Sequence, residues 1–118
     1  MDHLKSIENE FHIILPDVYK RFYYLCAVSM PDNLIGTDLL NNFPYYHLRN
    51  SAEELLKYDG VDNFLKSEDF VFMIHQGYMF WYFKADGEAD PIVYGYYEGK
   101  NRPDNFGHFS IFINQYEK

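Results

Sequence analysis

Five histidines, one cysteine and one closely spaced trio of carboxylates are the residues of this chain with the chemistry to catalyse a reaction or hold a metal. His3, His12, His47, His75 and His108 are scattered, none of them three or four residues from another, so the spacing that sets two imidazoles on one helix face for zinc is absent. His75 precedes Gln76-Gly77 and can occupy a hairpin tip, but no nucleophile is evident for it to serve, and a turn histidine satisfied by backbone is the expected state. Cys26 sits in an apolar helical pattern without an electropositive, exposed setting and reads as a small core residue. Asp86, Glu88 and Asp90 alternate like the start of a calcium loop, yet Pro91 and the apolar run after it leave no glutamate at the twelfth position. They read as a solvated hairpin loop suited to electrostatic steering. Glycine-rich phosphate loops, G-x-S-x-G and H-E-x-x-H are missing. The expectation is therefore of no enzyme, no cofactor and no metal.

The elements that would position these residues begin with residues 70–99, FVFMIHQGYMFWYFKADGEADPIVYGYYEG. Two aromatic runs of strand length flank His75-Gln76-Gly77-Tyr78, and a third, residues 92–97, follows the acidic turn, which is the pattern of a three-stranded antiparallel meander. Strict alternation puts Phe70, Phe72 and Ile74 on one face and Val71 and Met73 on the other; Met79, Trp81 and Phe83 oppose Phe80 and Tyr82, and Ile92, Tyr94 and Tyr96 oppose Val93 and Tyr97. Both faces are apolar, so the second is either covered by chain or left as an aromatic binding surface. Aromatic stripes are more often core than site, which favours coverage by the helices and by the connection 29–44. Gly95 inside the third run marks a bulge or the close approach of another backbone, unless it merely relieves crowding among the tyrosines, the plainer reading.

Upstream, Leu4, Ile7 and Phe11 at helical spacing behind a candidate N-cap, Asp2, predict a first helix ending near His12. Pro16 starts a second, with Val18, Phe22 and Leu25 as its stripe and Tyr19 and Cys26 beside them. Residues 29–44 read as a long irregular connection with a short strand around Leu39, and residues 45–49 as a strand. Ser51 and Glu54 read as a capping box opening a helix that ends by Tyr58. Residues 100–107 form a polar turn, and Phe109, Phe112, Ile113 and Tyr116 a terminal amphipathic helix. The sum is an α+β domain over residues 1–118, an antiparallel sheet of about four to six strands with N-terminal, middle and C-terminal helices packed on it.

Composition bounds the partners. Eighteen acidic against ten basic residues give a formal charge of −8, which repels phosphate backbones and anionic lipid and disfavours nucleic acid and membrane surfaces. A basic protein is the better partner, although moderate acidity also serves solubility alone. The lone Cys26 allows no intramolecular disulfide, no run approaches the length of a membrane span, and Met1-Asp2-His3-Leu4-Lys5 has no apolar segment of a secretion signal, so a cytoplasmic location is expected.

Ile7-Glu8-Asn9-Glu10-Phe11, Leu15-Pro16-x-x-Tyr19-x-x-Phe22, His75-Gln76-Gly77-Tyr78 and Asp90-Pro91-x-Val93-Tyr94, in this order and spacing, resemble the SMI1/KNR4 family of the SUKH superfamily. The resemblance runs from about Leu4 to the C-terminal helix, and its motifs look like fold determinants. It implies a non-enzymatic immunity protein that binds and neutralises a cognate bacterial toxin such as a nuclease; the alternative it implies is a regulatory or scaffolding interaction module without a toxin partner. Two positions depart from the family pattern. Ala27-Val28-Ser29-Met30-Pro31 stands where Asn-Gly often follows the second helix, and His12 replaces a common glycine and is expected at positive φ. Acidic groups that steer and tyrosines that anchor give the expected contact set: Asp86, Glu88, Asp90, Tyr94, Tyr96, Tyr97 and Glu98.

Overall fold

Two prolines set the starts of the main helices. Pro16 (φ −72°) and Pro44 (φ −66°) are the extended residues just before α2 (Asp17–Val28) and α3 (Tyr45–Tyr58), where a missing N–H leaves no helical bond unmade. In the computed structural model, which describes residues 3–115, α1 (His3–Phe11) precedes them and stops where His12 turns to φ 57°, the left-handed value expected for it. The N-cap expected at Asp2 and the apolar position expected at Tyr116 lie outside the described residues.

After α2 come β1 (Thr37–Leu39), α3, β2 (Asp69–His75), β3 (Met79–Lys84), β4 (Ile92–Tyr97), β5 (Asp104–His108) and α4 (Phe109–Phe112), with 3₁₀ turns at Asp32–Leu34 and Ile113–Gln115. The strands form one antiparallel sheet in the order β1-β2-β3-β4-β5, each paired with its neighbours in sequence. The fold is α+β, as the pattern of apolar runs predicts.

Several local expectations are corrected. Residues 45–49 form no strand, and Ser51 and Glu54 make no capping box at a helix start, because both lie inside α3. Tyr45, Leu48, Ala52, Leu55 and Leu56 recur at helical spacing and are all buried, so one stripe carries the helix from Pro44 onward. The buried stripe of α2 is Tyr19, Phe22 and Cys26; Leu25 is exposed and Val18 half-buried. Residues 104–107, expected within a polar turn, form with His108 an edge strand paired to β4, a place where polar residues are tolerated because one side meets water. The terminal helix is one α turn continued as a 3₁₀ turn.

Pairing decides which residues share a face, since directly opposed residues of antiparallel neighbours point the same way. Phe70 opposes Phe83, while Val71 opposes Tyr82 and Ile74 opposes Phe80. A bulge between Val71 and Met73 breaks the expected alternation and moves Ile74 away from Phe70 and Phe72 onto the second face. On the first face Phe70, Phe72 and Phe83 surround Tyr19 of α2 and Phe109 of α4, with the four phenylalanine rings centred 5.2–6.2 Å from that of Tyr19. Each buried ring contributes about 1.5–3 kcal/mol. On the second face Phe80, Tyr82 and Tyr96 lie under Phe64, with centroids 5.9–6.4 Å apart. That face is covered, by Phe64 and its neighbours and by α3 on β2, whereas the 29–44 connection supplies β1 to the sheet edge.

β1 pairs with residues 73–75 of β2 only, which leaves the start of β2 at an open edge. Side chains of α3 finish the ladder there. Val71 N–H donates to Tyr45 Oη at 3.4 Å, the Tyr45 hydroxyl donates to the Asp69 carbonyl at 3.3 Å, and Arg49 Nη1 donates to that carbonyl at 2.8 Å. Gly95 answers to two rings, not to another backbone or to tyrosine crowding: a Cβ there would stand 2.4 Å from Phe106 Cε2 and 2.9 Å from Trp81 Cδ1.

Candidate functional site

Three chain reversals meet at one end of the sheet. The β2–β3 connection is the three residues 76–78 between paired His75 and Met79; Gln76 at φ 51° and Gly77 at φ 79° take positive angles, and the Tyr78 N–H returns to the His75 carbonyl at 3.2 Å. Glu98 N–H donates to the Tyr78 carbonyl at 2.8 Å, which sets the β4–β5 turn beside this hairpin. The third reversal ends α3. Asp59 N–H returns to the Leu55 carbonyl at 3.0 Å, Gly60 N–H returns to that of Lys57 at 3.1 Å, and Gly60 takes φ 71° as a C-terminal glycine does.

Asp59 locks α3 to the strands. Its carboxylate accepts the Gly99 N–H at 3.1 Å and the hydroxyl proton of Tyr96, and Lys100's carbonyl lies 2.8 Å from the same hydroxyl. Burial first, then the Asp59 carboxylate, push the Tyr96 phenol well above its ordinary range, so it remains a donor at every physiological pH.

Between these reversals lies a cleft of about 780 Å³, lined by Ser51, Glu54, Leu55, Lys57, Tyr58, Gly77 and Glu98. Tyr58 is 81% exposed; Tyr78 and Tyr97, next in sequence to Gly77 and Glu98, are 41% and 39% exposed. Among the described residues neither Glu54 nor Glu98 has a cationic partner within 4.0 Å. Lys100 is occupied: its ammonium lies 3.0 Å from Asp104 and 4.9 Å over the Tyr97 ring, and the Asp104 hydrogen bond chiefly raises its pKa. An exposed tyrosine, Tyr58, with two carboxylates against the one ammonium of Lys57 at the same cleft, suits a protein surface that carries lysine and arginine.

The contact set expected from sequence divides. Glu98 lines this cleft, whereas Tyr97, paired with Met79, points to the sheet face opposite that of Tyr96 and is not part of the lining. Asp86 and Glu88 are exposed in the β3–β4 loop, at the opposite end of β4, about 16 Å away at roughly 3.3 Å per residue. Asp90 spends both oxygens on Ser110, accepting its N–H at 2.9 Å and its hydroxyl at 2.6 Å where α4 begins, so it organises the chain. Tyr94 is half-buried and stacks on Tyr82 at 5.5 Å. Tyr96 is fully buried, which corrects its expected place on a contact surface. Glu54 and Tyr58 are the residues that sequence reasoning left out; the one signal for Tyr58 was a large aromatic at the helix end, before Asp59-Gly60.

The isolated histidine and cysteine have structural surroundings. His75 Nδ1 lies 3.1 Å from Thr37 Oγ1 at a paired position of β1 and β2, and its ring meets Tyr78 edge-on at 5.6 Å. Cys26 is buried, and burial pushes its thiol up to about 11. Among the described residues no three His, Cys, Asp or Glu side chains are grouped to hold a metal, and no helix is long and apolar enough to cross a membrane. Comparison with known protein families, with curated proteins and with solved structures finds no match for this chain.

Proposed function

We propose that this chain is an immunity protein of the SMI1/KNR4 kind, which docks on a basic toxin and occludes its working surface. The observation that supports this reading is the cleft at the ends of α3 and the two hairpins, where the exposed Tyr58 stands with Glu54 and Glu98, whose carboxylates have no cationic partner among the described residues. Tyrosine is the residue type from which binding hot spots are built, because it buries a large ring with few rotatable bonds and keeps a hydroxyl for a polar partner. Burying it against a partner is worth about 2 kcal/mol or more at a hot spot. The carboxylates set orientation and disfavour acidic partners. A nuclease is the fitting class of toxin, since a cleft built for phosphate is basic and an acidic surface can take the place of nucleic acid there.

The remaining acidic surface acts at longer range. Asp86 and Glu88 at the far end of β4, with the chain's net charge of −8, accelerate encounter with a basic partner and make its rate depend on salt. The cytoplasm is the proposed place of action, where a buried thiol such as Cys26 stays reduced.

Co-expression with the product of the adjacent upstream gene tests the proposal. The expected result is that the protein restores growth to cells carrying a toxic neighbour, and that Tyr58→Ala combined with Glu98→Lys abolishes rescue while the circular dichroism spectrum is kept. A chain that neither binds nor neutralises the neighbouring product, or a double variant that rescues as well as the parent, contradicts it.

A further inference from the structure

The cleft at the end of α3 has walls from two distant parts of the chain. Ser51, Glu54 and Tyr58 recur at helical spacing along one stripe of α3, while Gly77 and Glu98 come from the two chain reversals of the sheet. Those reversals already move together, because the Glu98 N–H donates to the Tyr78 carbonyl at 2.8 Å. What is left to fix is the gap between them and the end of the helix.

Asp59 spans that gap. Among the described residues, the hydrogen bonds that cross from the end of α3 to the end of β4 and the turn after it are accepted by Asp59 Oδ2, from the Gly99 N–H at 3.1 Å and from the Tyr96 hydroxyl. The bonded positions stand directly beside cleft residues, since Asp59 follows Tyr58 and Gly99 follows Glu98. Asp59 itself is half-buried and is not part of the lining.

Helix chemistry alone gives no reason for an acid at this place. A carboxylate at a helix C-terminus meets the negative end of the helix dipole and is disfavoured unless other groups hold it. Here the holding groups belong to the sheet. Tyr96 is a fixed post, buried with its ring 5.5 Å from that of Phe80 and 5.9 Å from that of Phe64, and a hydrogen bond to a charged acceptor is roughly twice as strong as a neutral one.

We propose that Asp59 is a positioning residue for the partner site: without contacting the partner, it holds Tyr58 at the separation from Glu98 that a bound protein requires. This rests on the immunity reading above and names what sets the affinity of that same site. Without the carboxylate, the last turn of α3 and the β4–β5 turn sample a range of separations. The apparent dissociation constant then rises by the inverse of the fraction that keeps the competent one.

Two measurements test this, one without the partner and one with it. In the free protein, Asp59→Ala is expected to speed exchange of the Gly60 amide, which donates to the Lys57 carbonyl at 3.1 Å, by about tenfold, whereas helix propensity and the dipole alone would slow it. Binding to the adjacent gene's product is expected to weaken by about tenfold in Asp59→Ala, less in Tyr96→Phe, which removes one of the two bonds and keeps the ring, and least in Asp59→Asn, which keeps an acceptor oxygen. Tyr45→Phe controls for stability: it lies at the other end of α3, about 20 Å away at 1.5 Å per residue, and is expected to bind as the parent does. This proposal alone is overturned if the parent binds and Asp59→Ala binds equally well, if Gly60 exchange is unchanged or slower, or if Tyr45→Phe loses as much affinity as Asp59→Ala. A parent that does not bind overturns the immunity reading, and this proposal with it.

Discussion

Gly95→Ala probes how tightly the outer half of the sheet is packed. The added Cβ would stand 2.4 Å from Phe106 Cε2 and 2.9 Å from Trp81 Cδ1, where carbon atoms ordinarily rest about 3.5–4.0 Å apart. Trp81 is 8% exposed and held against Phe112 at 6.3 Å, while Phe106 is 39% exposed on the edge strand, so Phe106 is the ring that yields. Moving it sacrifices its edge contact with Phe112, centred 6.0 Å away. Overpacking of this kind costs about 1–3 kcal/mol. Alanine recovers about 0.5–1 kcal/mol of that by its better strand propensity. A net loss of about 1–2 kcal/mol corresponds to a fall in Tm of roughly 4–8 °C for a domain of this size. Thermal unfolding followed by circular dichroism reads the fall directly. Phe106→Ala in the same chain is expected to relieve the clash, giving a favourable coupling of about 0.5–3 kcal/mol in a double-mutant cycle. A Gly95→Ala protein as stable as the parent, or a pair of substitutions whose effects simply add, would refute the reasoning.

Other expectations follow from the hydrogen bonds and the buried acid. Tyr45→Phe removes the hydroxyl that bridges Val71 N–H and the Asp69 carbonyl at the open edge of β2, and is expected to cost about 1–2 kcal/mol in urea denaturation, with faster exchange of the Val71 amide; unchanged exchange there contradicts the edge role. Asp69→Asn should alter the pH dependence of stability. Burial is the largest influence on the Asp69 carboxyl and raises its pKa, with the Lys66 N–H, Lys84 and Arg49 opposing it. A raised folded pKa means the folded state holds the proton more tightly, so this contribution is complete below the unfolded value, about 3.9, and is lost as pH rises through the folded one. The parent is therefore expected to lose stability relative to Asp69→Asn as pH rises from about 4 through the raised folded pKa. Parallel denaturation curves across that range would show no such titration.

The meander was legible because its signals are local. Three apolar runs separated by His75-Gln76-Gly77-Tyr78 and by the acidic turn read as β2, β3 and β4, whereas the left-handed His12 was expected only from the resemblance, in which a glycine is common at its place. The bulge in β2 was hidden because an apolar residue on either side of it fits a sheet buried on both faces. β5 was hidden because Asp104, Asn105 and Gly107 carry the composition of a turn, and only pairing with β4 makes a strand of them. Tyr45 and Tyr46 favour strands locally, yet burial of a helical stripe through Leu56 overrides that preference. Of the acidic cleft, Glu98 was visible at a hairpin end. Glu54 and Tyr58 were not, because what brings them there is Asp59, bonded to Tyr96 and Gly99 some forty residues on. No spacing in the chain encodes that contact.

Isothermal titration calorimetry with the adjacent gene's product measures the central claim most directly. Asp86→Lys with Glu88→Lys is expected to bind only modestly more weakly than the parent, by at most about tenfold through slower association, while Tyr58→Ala with Glu98→Lys binds at least a hundredfold more weakly, about 2.7 kcal/mol. Equal affinity of the parent and the Tyr58→Ala with Glu98→Lys variant would contradict a partner site at the ends of α3 and the hairpins.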